Sequence, residues 1–158
     1  MSRRGKTKIR KIEADPVYNS HHVTQLINRC MKDGKKLAAQ KQIYKAFETI
    51  KKSGEDPMQV FSKALDNIRP STEVRSRRVG GAAYQIPMPV RGKRKDSLAI
   101  RWLIFAARAR SNSEHHTFAE KLSTEIMEAA KGEGGAVKKR VDTEKMAEAN
   151  RAFAHFRW

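Results

Sequence analysis

A single cysteine, Cys30, is all that the 158 residues contain, so no disulfide can close within the chain, and this usage suits a reducing compartment. Nowhere do 18 consecutive apolar residues occur, and no apolar segment follows the basic N-terminus, which predicts neither a membrane span nor secretion. No internal repeat is visible. The motifs of catalysis are missing too. The pairs His21-His22 and His115-His116 lack the i, i+4 spacing of a helical zinc site, and no Cys-x-x-Cys accompanies them. Gly132-Glu133-Gly134-Gly135 is not followed by the Lys-Ser/Thr of a phosphate-binding loop, and Cys30 falls in an apolar helical stripe, where it reads as an inert thiol. Acidic residues are scarce: 17 Asp and Glu face 34 Lys and Arg, a net charge of +17 at pH 7. Self-repulsion of that size opposes compaction and implies a polyanionic partner. The expectation is a soluble, intracellular, non-enzymatic protein with no cofactor, no metal, no membrane partner and no small-molecule substrate.

What is present is charge gathered in two places. Residues 1–12 carry Arg3, Arg4, Lys6, Lys8, Arg10 and Lys11 with no acid, and residues 69–95 carry eight basic side chains against Glu73 alone, so 13 of the 17 net charges lie in 39 residues. A surface built only for solubility intersperses its signs. Two concentrations imply two contact surfaces for a phosphate backbone.

The tail 1–12 has no periodicity and reads as a basic segment that stays disordered until bound. Residues 13–158 read as one helical domain. Asn19 or Ser20 caps a first helix with Val23, Leu26, Ile27, Cys30 and Met31 on its apolar side, and Gly34 is placed to end it. A second helix carries Ala39, Ile43, Ala46, Phe47 and Ile50, and stops at Gly54. Asp56-Pro57 restarts the chain into a third helix over Val60, Phe61, Ala64, Leu65 and Ile68, closed by Pro70. Period two then replaces period 3.6. Val74 points one way and Arg75 and Arg77 the other, while Tyr84, Ile86, Met88 and Val90 share a face. Pro87 and Pro89 permit only an edge, and every strand of a two-stranded ribbon is one. The prediction is a β-hairpin at about 72–91 with Gly80-Gly81 at its tip. A largely buried fourth helix starts at Asp96 or Ser97, and a fifth carries Phe118, Leu122, Ile126 and Ala129. After a flexible break at 132–135, Asp142 or Thr143 caps a last helix running towards His155, with Glu144 in its first turn. The fold class is mainly α: a six-helix bundle with a protruding two-stranded β-hairpin between the third and fourth helices.

Arg75, Arg77 and Arg78 beside a small-residue tip form a cationic finger suited to bidentate phosphate or guanine contacts. The bland reading is that they only discourage edge-to-edge pairing. Lys35-Lys36 is either a phosphate contact or a solvated turn. Arg101 is expected to face outward beside Arg94 and Arg108, with Trp102 at the core's edge or stacked on a base. Phe153, His155, Phe156 and Trp158 suit stacking, docking on a neighbour, or packing onto the chain's own bundle. A rival binding module is a DNA-architectural protein using the hairpin as a minor-groove arm.

With these segments read, the chain resembles the family of the seventh protein of the small ribosomal subunit, of bacterial or organellar type. The resemblance covers nearly the whole chain. It rests on Lys32-Asp33-Gly34-Lys35-Lys36, on Asp56-Pro57 with Phe61, on Arg69-Pro70, and on the hairpin run from Glu73 to Ala82 continuing through Tyr84-Gln85-Ile86-Pro87. Leu98-Ala99-Ile100-Arg101-Trp102-Leu103, Ala136 to Arg140 and Met146 to Trp158 extend it. It implies a structural, rRNA-binding component of the small subunit that organises its head (the 3′ major domain), in the cytoplasm or an organelle's matrix or stroma. It implies rRNA contacts at the tail, Lys35, Lys36, Arg75, Arg91, Arg94, Arg101 and Trp102. The hairpin tip, Arg77, Arg78, Val79, Gly80, Gly81 and Ala82, would reach exit-site tRNA and mRNA. Lys138, Lys139, Arg140, His155, Phe156 and Trp158 would meet exit-site tRNA or neighbouring head and platform proteins. Two departures stand out. The loop before the fifth helix is longer, with Glu114-His115-His116, and Ser71-Thr72 is polar where apolar residues are expected, which predicts a looser hairpin base.

Overall fold

The computed structural model describes Gly5 and residues 12–156, with Val79 described in its backbone only. The tail residues Arg3, Arg4, Lys6, Lys8, Arg10 and Lys11, and Trp158 at the other end, lie outside the described residues. Six α-helices and one hairpin follow in the expected order. Helix α1 (His21–Cys30) buries Val23, Leu26, Ile27 and Cys30. Helix α2 (Lys36–Lys52) buries Ala39, Ile43, Ala46, Phe47 and Ile50. The predicted restart is present in α3 (Pro57–Ile68), where the Asp56 carboxylate accepts the Met58 N–H at 3.1 Å and Pro57 opens the helix.

Strands β1 (Thr72–Val79) and β2 (Ala82–Pro89) pair antiparallel, with Thr72 opposite Pro89 and Val79 opposite Ala82. Gly80 and Gly81 form the two-residue turn at φ +57° and +91°, the positive pair that a right-twisted hairpin needs and that only glycine takes without strain. Directly opposed residues share a face. Arg75 therefore lies on the side of the fully buried Ile86, and Arg77 on that of Tyr84.

Helix α4 (Lys93–Ala109) packs against α1, α3, α5 and α6, and α5 (Phe118–Lys131) against α2, α3, α4 and α6. Their inward residues Leu103, Leu122 and Ile126 meet Phe47, Phe61, Ile43 and Leu65 in one continuous core. Helix α6 (Gly135–Ala149) runs beside the hairpin, and a 3₁₀ turn (Arg151–Phe156) completes the described chain.

Four expectations need correction. Helix α1 stops at Cys30, and the left-handed residues Asp33 and Gly34 shape the turn beyond it. Helix α4 begins at Lys93, three residues before Asp96, which sits inside the first turn, where its charge complements the helix dipole. The last helix begins at Gly135, so Lys138-Lys139-Arg140 lie within it, and Gly132 to Gly134 form a tight connection instead of a flexible break. The buried Glu125 carboxylate supplies the missing cap: it accepts the Ala136 N–H at 2.8 Å. That helix ends at Ala149, with His155 on the separate 3₁₀ turn. Finally, Ser71 does not loosen the hairpin's base. Its backbone N–H and hydroxyl both donate to Glu144 on α6, at 2.9 and 2.7 Å.

Candidate nucleic-acid interface

The basic surface is organised along α4. This helix is about 25 Å long, and its outward stripe carries Arg94, Ser97, Arg101, Phe105 and Arg108, all exposed at helical spacing. Trp102 is half-buried against the core, at the edge expected for it. At the N-terminal end, α4 meets the hairpin's base. Glu73 of β1 is 7% exposed. Its Oε1 accepts from Arg75 Nε at 2.6 Å and lies 2.6 Å from Arg75 Nη2 in an ion pair, and its Oε2 accepts from Arg94 Nε at 3.2 Å and Nη2 at 3.0 Å. Burial alone would raise the Glu73 pKa, but the hydrogen bonds and charges of Arg94 and Arg75 outweigh it and hold the carboxyl below its ordinary range. Arg91 is exposed close by in sequence, just before α4.

Two grooves extend this surface. One, of about 350 Å³, is lined by Ile12, Gln25, Asn28, Arg29, Lys93, Ser97 and Ile100, so Ile12 sits between α1 and α4. The other, of about 250 Å³, brings Lys32 and Lys35 near Arg108, whose Nη2 donates to the Cys30 carbonyl at 2.9 Å. Lys35 and Lys36 are themselves exposed. Arg29, Lys93 and Arg108 were not singled out as contacts from sequence. Arg29 had a visible signal as the exposed base on the last turn of α1, but its neighbour Lys93 is 64 positions away.

The hairpin tip is held at arm's length from these groups. Tyr84 packs against Phe153 and Phe156 of the 3₁₀ turn, with ring centroids 5.3 and 5.5 Å apart. Arg77 stands directly opposite Tyr84, level with the brace, and is partly buried; beyond it Arg78, Gly80, Gly81 and Ala82 are exposed. The C-terminal candidates separate. Lys138 and Lys139 are exposed on α6, and His155 is exposed with Nδ1 2.8 Å from the Ala152 carbonyl. Arg140 turns inward, with Nη1 donating to the Asn67 carbonyl at 2.8 Å and Nε 3.8 Å from Glu144. Phe156 serves the brace.

His22 sits 3.7 Å from Asp96 within an ion-pair network shared with Arg69. Among the described residues no group of three His, Cys, Asp or Glu is placed to hold a metal ion. Burial raises the pKa of the Cys30 thiol despite the opposing charge of Arg108. No helix among the described residues is long and apolar enough to cross a membrane.

Known proteins of similar sequence give the family. Small ribosomal subunit protein uS7 of Streptococcus thermophilus is 56% identical over 159 aligned positions that cover all of both chains. The uS7 proteins of Moorella thermoacetica and Mycoplasma mobile are 55% and 54% identical over the same full coverage. The family model described as ribosomal protein S7p/S5e matches residues 2–151. With its six helices, its glycine-tipped hairpin and its basic α4 face, the chain belongs to the ribosomal protein S7p/S5e family.

Proposed function

We propose that this protein is a non-catalytic component of the small ribosomal subunit that binds rRNA with its α4 face and organises the subunit head, within the ribosome. The observation that carries this reading is the convergence of Arg75, Arg94, Arg101, Lys93 and Arg29 around one helix, beside the point where the chain leaves its basic tail. Arg3, Arg4, Lys6, Lys8, Arg10 and Lys11 add phosphate contacts from the tail, and Lys35, Lys36, Arg91 and Trp102 complete the rRNA surface. The tip, from Arg77 to Ala82, reaches exit-site tRNA and mRNA, because the Tyr84 brace carries it clear of the base. Lys138, Lys139, His155 and Trp158 meet tRNA or a neighbouring protein. Family membership leaves the minor-groove reading without support.

The separation of base and tip gives the test. Arg77→Ala with Arg78→Ala should leave affinity for a head-junction rRNA fragment within about twofold, while crosslinking of exit-site mRNA and tRNA to the protein in assembled subunits falls. Retained crosslinking with lost junction affinity would assign the tip to structural rRNA instead.

A further inference from the structure

A carboxylate is the least expected group on a surface meant for phosphate. Glu73 repels an incoming phosphodiester and loses hydration on burial, so a surface selected for charge alone would omit it. Its geometry gives it another task. Each of its oxygens takes one guanidinium, and both guanidinia present the same Nε–Nη2 edge, so the carboxylate engages neither Nη1. The arginine side chains keep 51% and 46% of their surface exposed. Two flexible side chains, from a strand and a helix 19 positions apart in sequence, are thus oriented by a group at their inner side and open on their outer side.

We infer that Glu73 is a positioning residue: it holds Arg75 and Arg94 as a preset pair that accepts one phosphodiester group of a folded RNA backbone. The inference rests on the rRNA-binding reading above and adds discrimination to it. Rotamer freedom that two loose arginines would lose on binding is lost during folding instead. The three groups carry a net charge of +1, so a single phosphate neutralises them. The pair therefore rewards an RNA whose backbone places a phosphate at that point over one that offers only charge density. Arginine is required, because lysine lacks the second edge that leaves one side for the carboxylate and one for the ligand.

The test compares the full chain with Glu73→Gln and Arg94→Lys on two RNAs at matched salt: a small-subunit head-junction fragment and an unrelated duplex of equal length. Glu73→Gln adds one net positive charge, so a role as mere counter-charge predicts tighter binding to both RNAs. Positioning predicts the opposite sign on the junction alone: about tenfold weaker there, with unrelated-duplex affinity unchanged or slightly higher. Arg94→Lys, which keeps the charge, should reproduce the junction loss, and combining it with Glu73→Gln should add little. Equal gains on both RNAs, or junction affinity unchanged in Arg94→Lys, overturn the inference, as do equal losses on both RNAs, which mark a folding defect. If the unaltered chain shows no preference for the junction, it is the rRNA-binding reading that fails.

Discussion

Glu125 is the residue on which the most local structure depends. It is 1% exposed, accepts from Arg110 Nε and Nη2 at 2.8 and 2.6 Å, and caps α6 through the Ala136 N–H. Glu128 also pairs with Arg110, but from a partly exposed position. Glu125→Ala strips a partly buried guanidinium of its main partner and leaves an N-terminal amide of α6 unmet. The expected cost is about 3 kcal/mol, the lower end for a broken buried pair because Glu128 remains. Urea unfolding measures it, and a loss under about 1 kcal/mol would show that the network is not what seats α6. Nearby, Lys121 Nζ donates to the Arg110 carbonyl at 2.5 Å and to Asn112 Oδ1 at 2.6 Å, so a buried ammonium orders the loop between α4 and α5.

At the scale of elements, the hairpin depends on its attachments, since an isolated two-stranded ribbon is marginal in water. Its base is tied by Ser71 to Glu144, its flank by Tyr84 to the 3₁₀ turn, and the ladder extends to Val90 N–H on the Ser71 carbonyl at 2.9 Å. Burial tends to raise the Glu144 pKa, but the Ser71 hydrogen bonds and the Arg140 charge bring it below its ordinary value. A depressed folded-state pKa means that the tie contributes fully above the unfolded carboxylate value of about 4.3 and is lost as pH falls through the folded value. Protection of the Val90 amide, corrected for the intrinsic exchange rate, should therefore fall selectively as pH drops below the unfolded carboxylate value of about 4.3. Glu144→Gln should show lower protection already at neutral pH and a weaker acid response. An unchanged acid response in that variant would locate the sensitivity elsewhere, with Glu73 the next carboxylate to examine.

These elements also show what the sequence makes legible. The stripes of α1, α2 and α3, the Asp56-Pro57 start and the Gly80-Gly81 tip are local signals, and each element formed there, α1 ending one residue short of its stripe at Met31. The capping box of α5 was equally local: Thr117 accepts the Glu120 N–H, and Glu120 accepts the Thr117 N–H in return. It is written in the sequence as Thr-x-x-Glu, directly ahead of the apolar stripe. The start of α6 was not legible, because its cap comes from Glu125 on another helix. For the same reason Ser71-Thr72 looked like a weak base: the partner of Ser71 stands 73 positions away. At the site, the chain of cations was visible as composition. Their grouping was not, since Glu73 joins Arg94 across 21 positions and Arg140, basic in sequence, turns inward to Asn67.

Over the whole molecule, a net charge of +17 opposes compaction, and the continuous apolar core of the helices offsets it. The core sets distances; the cations supply the attraction. On the proposed rRNA-binding reading, counterion release dominates affinity, and its size follows from the number of phosphates met. The decisive measurement is the equilibrium affinity of the full chain for the head-junction rRNA fragment as a function of salt, with duplex DNA as competitor. If about eight phosphates are neutralised, log affinity against log salt should fall with a slope of about −6 to −7, with the junction preferred over DNA at matched salt. A nearly flat slope, or equal affinity for duplex DNA, would contradict the account.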